Sequence, residues 1–195
     1  MTKLTALPLL NTPAQLARPD EAFSQGTLDD AALTVMTDLR RHRAVTVSPG
    51  ETIEFAEKLM IGAGVRMLLV LDDQKALAGL ITYRDLHGEQ ALTAAAREKL
   101  PHDVLTVAQV MTPASKIETI PLADLGHARV RDVVDLLRQH GRQHALVTES
   151  SGEGGKVTVC GIFSITRIGH QLGVAIHSSE RAQSFAEIEH LIAAE

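Results

Sequence analysis

The sequence predicts an α+β fold: two β-α-β-β-α repeats packed as a pseudo-twofold pair, with an N-terminal arm and a C-terminal helix. Three observations point there. The tripeptide Val35-Met36-Thr37 recurs as Val110-Met111-Thr112. The phrase GLITYRDL at 79–86 returns as GIFSITRI at 161–168. Between these marks, helical and strand spacings of the apolar residues follow one another in the same order in both halves.

The offset between matching segments grows along the chain. It is 75 residues for the VMT elements (35 to 110), 77 for Gly64 and Gly141, and 82 for the eight-residue phrases (79 to 161). A duplicated unit whose second copy carries loop insertions behaves this way. The larger gain falls at 150–155, a cluster of turn formers, and the smaller near 123–128.

In the first copy a short strand at 44–47 precedes a helix with Ile53, Ala56, Leu59, Met60 and Ala63 on one stripe. Gly64 stands where a left-handed residue would end that helix. Strands at 67–71 and 78–81 follow, then a second helix opening near Tyr83. The second copy repeats the plan: a strand at 117–122, a stripe of Val130, Val133, Val134 and Leu137, Gly141 as terminator, strands at 145–148 and 157–163, and a helix from Ile165. The organisation is an N-terminal arm (1–31), a first repeat (32–92), a linker helix with the second repeat (93–173), and a C-terminal helical tail (174–195) with Ile188, Leu191 and Ile192 on one face. A unit of about 60 residues covers its own core poorly, because small domains bury only about 60% of their surface. The two copies are therefore expected to pack face to face, with clefts between them.

Composition narrows the function. The 195 residues are 45% hydrophobic, and 19 Lys plus Arg against 24 Asp plus Glu give a net charge of -5, without a global basic field. With 3% aromatic residues and no Trp there are few stacking platforms for single strands, which sets nucleic acid aside as a primary partner. Cys160 is the single cysteine and lies in an apolar run, the ordinary setting of a buried thiol. No apolar run reaches the ~20 residues of a membrane span, and the opening ten residues make a poor signal sequence, so a cytoplasmic location without membrane association is expected. His140 and His144 are four apart, but Gly141 interrupts the helix, and no metal site is expected. No nucleophile elbow, His-Glu-x-x-His pair or phosphate-binding Gly-Lys loop appears, so no catalytic residue is assigned and enzymatic activity is not expected.

The VMT elements, the segments GVRMLLVLD (64–72) and GRQHALVTE (141–149), and the phrases GLITYRDL and GIFSITRI together resemble, in order and spacing, a tandem pair of CBS domains, the module named after cystathionine β-synthase. The likeness covers residues from about 32 to 173. It implies a stand-alone regulatory module that binds an adenosine-containing ligand, such as AMP, ADP, ATP or S-adenosylmethionine, in a cleft between the repeats. Signalling would run through conformational or oligomeric change, with a homodimer and an unidentified effector protein as partners and no required cofactor.

In the family phrase Gly-x-x-Thr/Ser-x-x-Asp the aspartate receives the ribose hydroxyls and the Thr or Ser contacts phosphate. This implies Asp85 and Thr82 here, with Arg84 between them as an added cation. The chemistry agrees: a carboxylate offers two acceptor oxygens to a diol, and backbone amides at a strand-to-helix turn favour an anion. Both residues also suit ordinary helix capping. The family's opposite repeat completes the cleft, implying Thr106 and Val110 near the base, Gln143 or His144 near the phosphates, and Arg66 as another cation.

In the second phrase Ser164 is followed by Arg167 where the carboxylate belongs, and a guanidinium accepts no hydrogen bond from ribose. These two residues mark a degenerate second cleft, which salt bridging, self-filling or a free anion would occupy. The run Leu39-Arg40-Arg41-His42-Arg43 reads either as a solvated face or as a source of phosphate contacts. The alternative function is a protein-interaction or scaffold module with degenerate nucleotide clefts.

Overall fold

A computed structural model describes residues 26–150, 156–174 and 176. The predicted arm up to residue 25, the predicted loop residues 151–155 and the predicted C-terminal helix lie outside the described residues.

The first half runs β1 (Thr37–Asp38), β2 (Thr46–Val47), α1 (Ile53–Ala63), β3 (Met67–Leu71), β4 (Leu77–Thr82), α2 (Tyr83–His87), α3 (Glu89–Glu98) and the single turn α4 (Val107–Val110). The second runs β5 (Thr112–Pro113), β6 (Thr119–Pro121), α5 (Val130–Gln139), β7 (His144–Ser150), β8 (Val157–Ser164) and α6 (Ile165–Leu172). Local chemistry sets these limits. Thr52 caps α1 by accepting the Phe55 N–H at 3.1 Å, and Ile53, Ala56 and Met60 form the buried face. Gly64 (φ 65°) then turns the chain into β3, and Gly141 (φ 60°) turns it into β7 after α5. In the β3–β4 turn, Asp72 Oδ1 accepts the N–H groups of Gln74 and Ala76. α3 crosses residue 92, where the first repeat was expected to stop, and buries Ala91 and Ala94 in the first repeat's core.

Two four-stranded sheets form, in the orders β2-β3-β4-β5 and β1-β8-β7-β6. Each repeat therefore lends the strand that begins at the threonine of its VMT tripeptide to the other repeat's sheet. Thr37 faces Ile162 and Asp38 faces Gly161 across β1 and β8; Gly79 faces Pro113 and Leu80 faces Thr112 across β4 and β5. The glycine that opens each eight-residue phrase makes room for this exchange. A Cβ on Gly79 would stand 2.5 Å from the Thr112 carbonyl oxygen and 2.8 Å from Met111 Sδ, and one on Gly161 would overlap Met36 Sδ.

The core has three parts. Ile53, Met60, Leu68, Ile81 and Leu86 anchor the first repeat; Val133, Leu137, Val147, Phe163 and Ile168 anchor the second. A third cluster joins the sheets, where Met67 and Leu69 meet Leu146, flanked by Ala44 and Ile117. Cys160 is buried in the second core with its Sγ 3.6 Å from the Val147 carbonyl oxygen.

Candidate functional site: the cleft facing Asp85

β4 ends at Thr82, whose extended backbone (φ -110°, ψ 160°) leaves it as the cap of α2. Its Oγ1 accepts the Asp85 N–H at 3.3 Å, while Asp85 Oδ2 accepts both the Thr82 N–H and the Thr82 hydroxyl at 2.8 Å. This capping box fixes the half-buried carboxylate through one oxygen and leaves Oδ1 outside the box.

That turn forms one wall of a cleft of about 540 Å³, together with Arg84, Gly88 and Glu89. Residues 116–120 and 140–146 of the second repeat form the facing wall, and Thr112 lies between them. Arg84, Lys116 and Arg142 bring positive charge to the cleft; Asp85, Glu89 and Glu118 bring negative charge. Glu118 Oε2 lies 3.8 Å from both Arg142 Nη2 and His140 Nδ1, an exposed and water-screened arrangement that constrains Arg142 little.

His144 contributes differently. Its Nδ1 is shielded from solvent and has no hydrogen-bond partner among the described residues. Burial first, and then the positive charge of Arg66, pushes its pKa from 6.5 down to about 4. The imidazole is therefore neutral at pH 7 and supplies no charge to a phosphate.

Asp85, Thr82, Arg84, Gln143 and His144 thus share one cleft, whereas Arg66, Thr106 and Val110 are not among its lining residues. Thr106 is occupied in a capping box with Gln109, whose Oε1 accepts its N–H at 2.8 Å and stands 3.1 Å from its hydroxyl oxygen. Val110 is 2% exposed in the first core. Arg66 is exposed, and its carbonyl accepts the Tyr83 N–H at 2.9 Å. Lys116, Glu118 and Arg142 line the cleft without having been singled out from sequence. Lys116 and Glu118 come there through the register of β6 beside β7, a long-range relation with no local signature, whereas Arg142 directly precedes Gln143 in the same wall.

The second phrase lacks the device seen at Thr82. Ser164 caps α6 without a side-chain hydrogen bond, and Arg167 is exposed.

Comparison with known proteins places this architecture. Residues 34–91 match the CBS domain family. Over 80 residues, 41% of the chain, the sequence is 32% identical to the uncharacterized protein MJ1426 of Methanocaldococcus jannaschii, and the match spans 47% of that relative's length. A conserved protein from Pyrococcus horikoshii superposes with a TM-score of 0.54 at 19% identity, over 79% of this chain and all of that one. The CBS-domain containing protein ATU1752 from Agrobacterium tumefaciens gives 0.52 at 20% identity, over 77% of this chain and 98% of that one. MJ1225 of M. jannaschii, proposed as an archaeal homologue of γ-AMPK, gives 0.52 at 15% identity, over 73% of this chain and 49% of that one. Residues 34–91 form a CBS domain, and the two interleaved repeats together have the fold of the CBS-domain structure they superpose on.

Proposed function

We propose that this protein is a regulatory module that binds an adenosine-containing ligand in the Asp85 cleft and transmits its occupancy through the arrangement of the repeats or of a homodimer to an effector protein. The observation that carries this reading is Asp85 itself: a carboxylate anchored through one oxygen, on the first repeat's wall of a cleft that the second repeat completes. An anchored acceptor facing a cleft suits a ribose diol, because little side-chain freedom remains to be lost on binding. The cleft volume lies within the roughly 300–1,000 Å³ usual for small-molecule sites. Arg84, Lys116 and Arg142 provide counter-charge for phosphate or, in S-adenosylmethionine, for the amino-acid carboxylate. Neutral His144 serves as an uncharged wall.

A ligand touching both repeats shifts their arrangement only by its differential affinity for the two states. Contacts to opposite repeats are where such a difference would arise. The regulatory role, rather than a catalytic one, rests on this bridging geometry and on the family resemblance.

A thermal-shift panel of AMP, ADP, ATP, S-adenosylmethionine and NAD tests the reading. A true ligand at 100 times its Kd adds about 2.7 kcal/mol of stability, a rise of roughly 5–11 °C for a chain of this size. No shift with any of the five, in protein freed of copurified nucleotide, would contradict it.

A further inference from the structure

We propose, building on the nucleotide reading of the Asp85 cleft, that Glu118 is its specificity-determining residue: it makes the cleft take a nucleoside monophosphate and turn the di- and triphosphate away.

The lining of the cleft is electrically balanced. Arg84, Lys116 and Arg142 are its cations, and Asp85, Glu89 and Glu118 are its carboxylates. Gln143 carries no charge, and His144 in the same wall is held neutral by burial. The chain as a whole has a net charge of -5, so no wider field makes up for this balance. A single phosphate entering the cleft can be met by one of the cations through charge-assisted hydrogen bonds. Every further phosphate brings negative charge to a site whose cations are already matched, and its loss of hydration is no longer offset.

Of the three carboxylates, Glu118 is the one placed to decide this. Asp85 is tied into the capping box with Thr82, and Glu89 belongs to the first repeat's wall, in the first turn of α3. Glu118 stands on the second repeat's wall, among the cations. Lys116 lies two residues before it, and its Oε2 is 3.8 Å from both Arg142 Nη2 and His140 Nδ1. The register puts it there: Thr119, the next residue, faces Leu146 of β7, the strand that follows Arg142 and Gln143. At such distance and exposure Glu118 does not immobilise Arg142; it acts through the charge it adds. An anion within hydrogen-bond reach of Arg142 stands roughly 8 Å or less from the Glu118 carboxylate, inside one Debye length at physiological salt. Arg142 therefore attracts a phosphate only at the cost of bringing it beside a like charge.

Titration calorimetry of AMP, ADP and ATP into the full chain, freed of nucleotide and in magnesium-free buffer, tests the proposal. Affinity is expected to fall with each added phosphate, AMP binding about 10-fold or more tightly than ATP. Glu118→Gln is expected to narrow that ratio to about 3-fold or less, whereas Glu118→Asp, which keeps the charge, keeps the ratio. Added salt narrows the ratio in the wild-type protein and barely changes it in Glu118→Gln, a response that a merely structural role would not give. Circular dichroism verifies that each variant is folded. Wild-type protein that binds ATP as tightly as AMP, or a Glu118→Gln variant whose ratio is unchanged, overturns the proposal and leaves the nucleotide reading standing. Affinities for all three compounds that Asp85→Ala leaves unchanged overturn both, since the compounds then bind outside this cleft.

Discussion

His144 takes in β7 the place that Met67 takes in β3: each opens its strand and pairs with the residue that caps the following helix, Ser164 or Thr82. The thioether suits this half-apolar setting, whereas the imidazole leaves Nδ1 without a partner among the described residues and neutral down to about pH 4. In the unfolded chain the same ring takes up a proton near pH 6.5. Because the folded value is the lower one, acid favours the unfolded state: the stability is complete above pH 6.5 and is lost as the pH falls toward 4. At about 1.4 kcal/mol per pH unit, with solvent reaching part of the ring, the loss is at most on the order of 3 kcal/mol. Replacing His144 with the residue of the other repeat, His144→Met, is expected to flatten this part of the profile. Urea midpoints of both proteins between pH 7 and 4.5 provide the check, since all other titrating groups are shared; parallel profiles would contradict the account.

At the level of elements, the exchange of β1 and β5 depends on two glycines whose surroundings differ. At Gly79 an added methyl meets the Thr112 carbonyl, part of a paired strand, whereas at Gly161 the three nearest atoms all belong to the Met36 side chain, a flexible group rather than backbone. Gly79→Ala is therefore expected to cost about 2–3 kcal/mol, and Gly161→Ala roughly half as much, in line with overpacking elsewhere. Equal denaturation midpoints for the two variants would contradict this. The exchange itself was not legible in the sequence. The helical stripe of α5, the run of β3, the opening of α2 at Tyr83 and the left-handed glycines follow from spacing and local chemistry, and the structure has them there; the α1 stripe holds at Ile53, Ala56 and Met60 and in part at Leu59, but Ala63, in the last turn before Gly64, is exposed. Two-residue strands leave no periodicity to detect, and their partners lie far along the chain, Ile162 for Thr37 and Gly79 for Pro113. The same limit hid half of the cleft. Thr82 and Asp85 stand out because a cap and its carboxylate are local, but Lys116 and Glu118 arrive through register.

For the whole molecule, the exchanged strands and the central cluster of Met67, Leu69 and Leu146 make each repeat part of the other's structure. The repeats should therefore unfold together. Two natural probes report on them separately: Tyr83, the single tyrosine, in the first repeat and Cys160, the single cysteine, buried in the second. Tyrosine fluorescence and thiol reactivity measured along a urea series should give the same midpoint, and separated midpoints would show that the repeats are independent. The same interleaving would let a ligand held between the first repeat's Asp85 and the second repeat's wall act on both repeats, as the proposed function requires. Whether Asp85 holds that ligand is measured most directly by calorimetric titration of the adenosine compound giving the largest thermal shift into wild-type and Asp85→Ala proteins with matching circular dichroism. The account predicts a loss of affinity of about 10- to 150-fold in the variant, the effect of removing roughly 1.5–3 kcal/mol of charged hydrogen bonding. Equal affinity in the two proteins would contradict it.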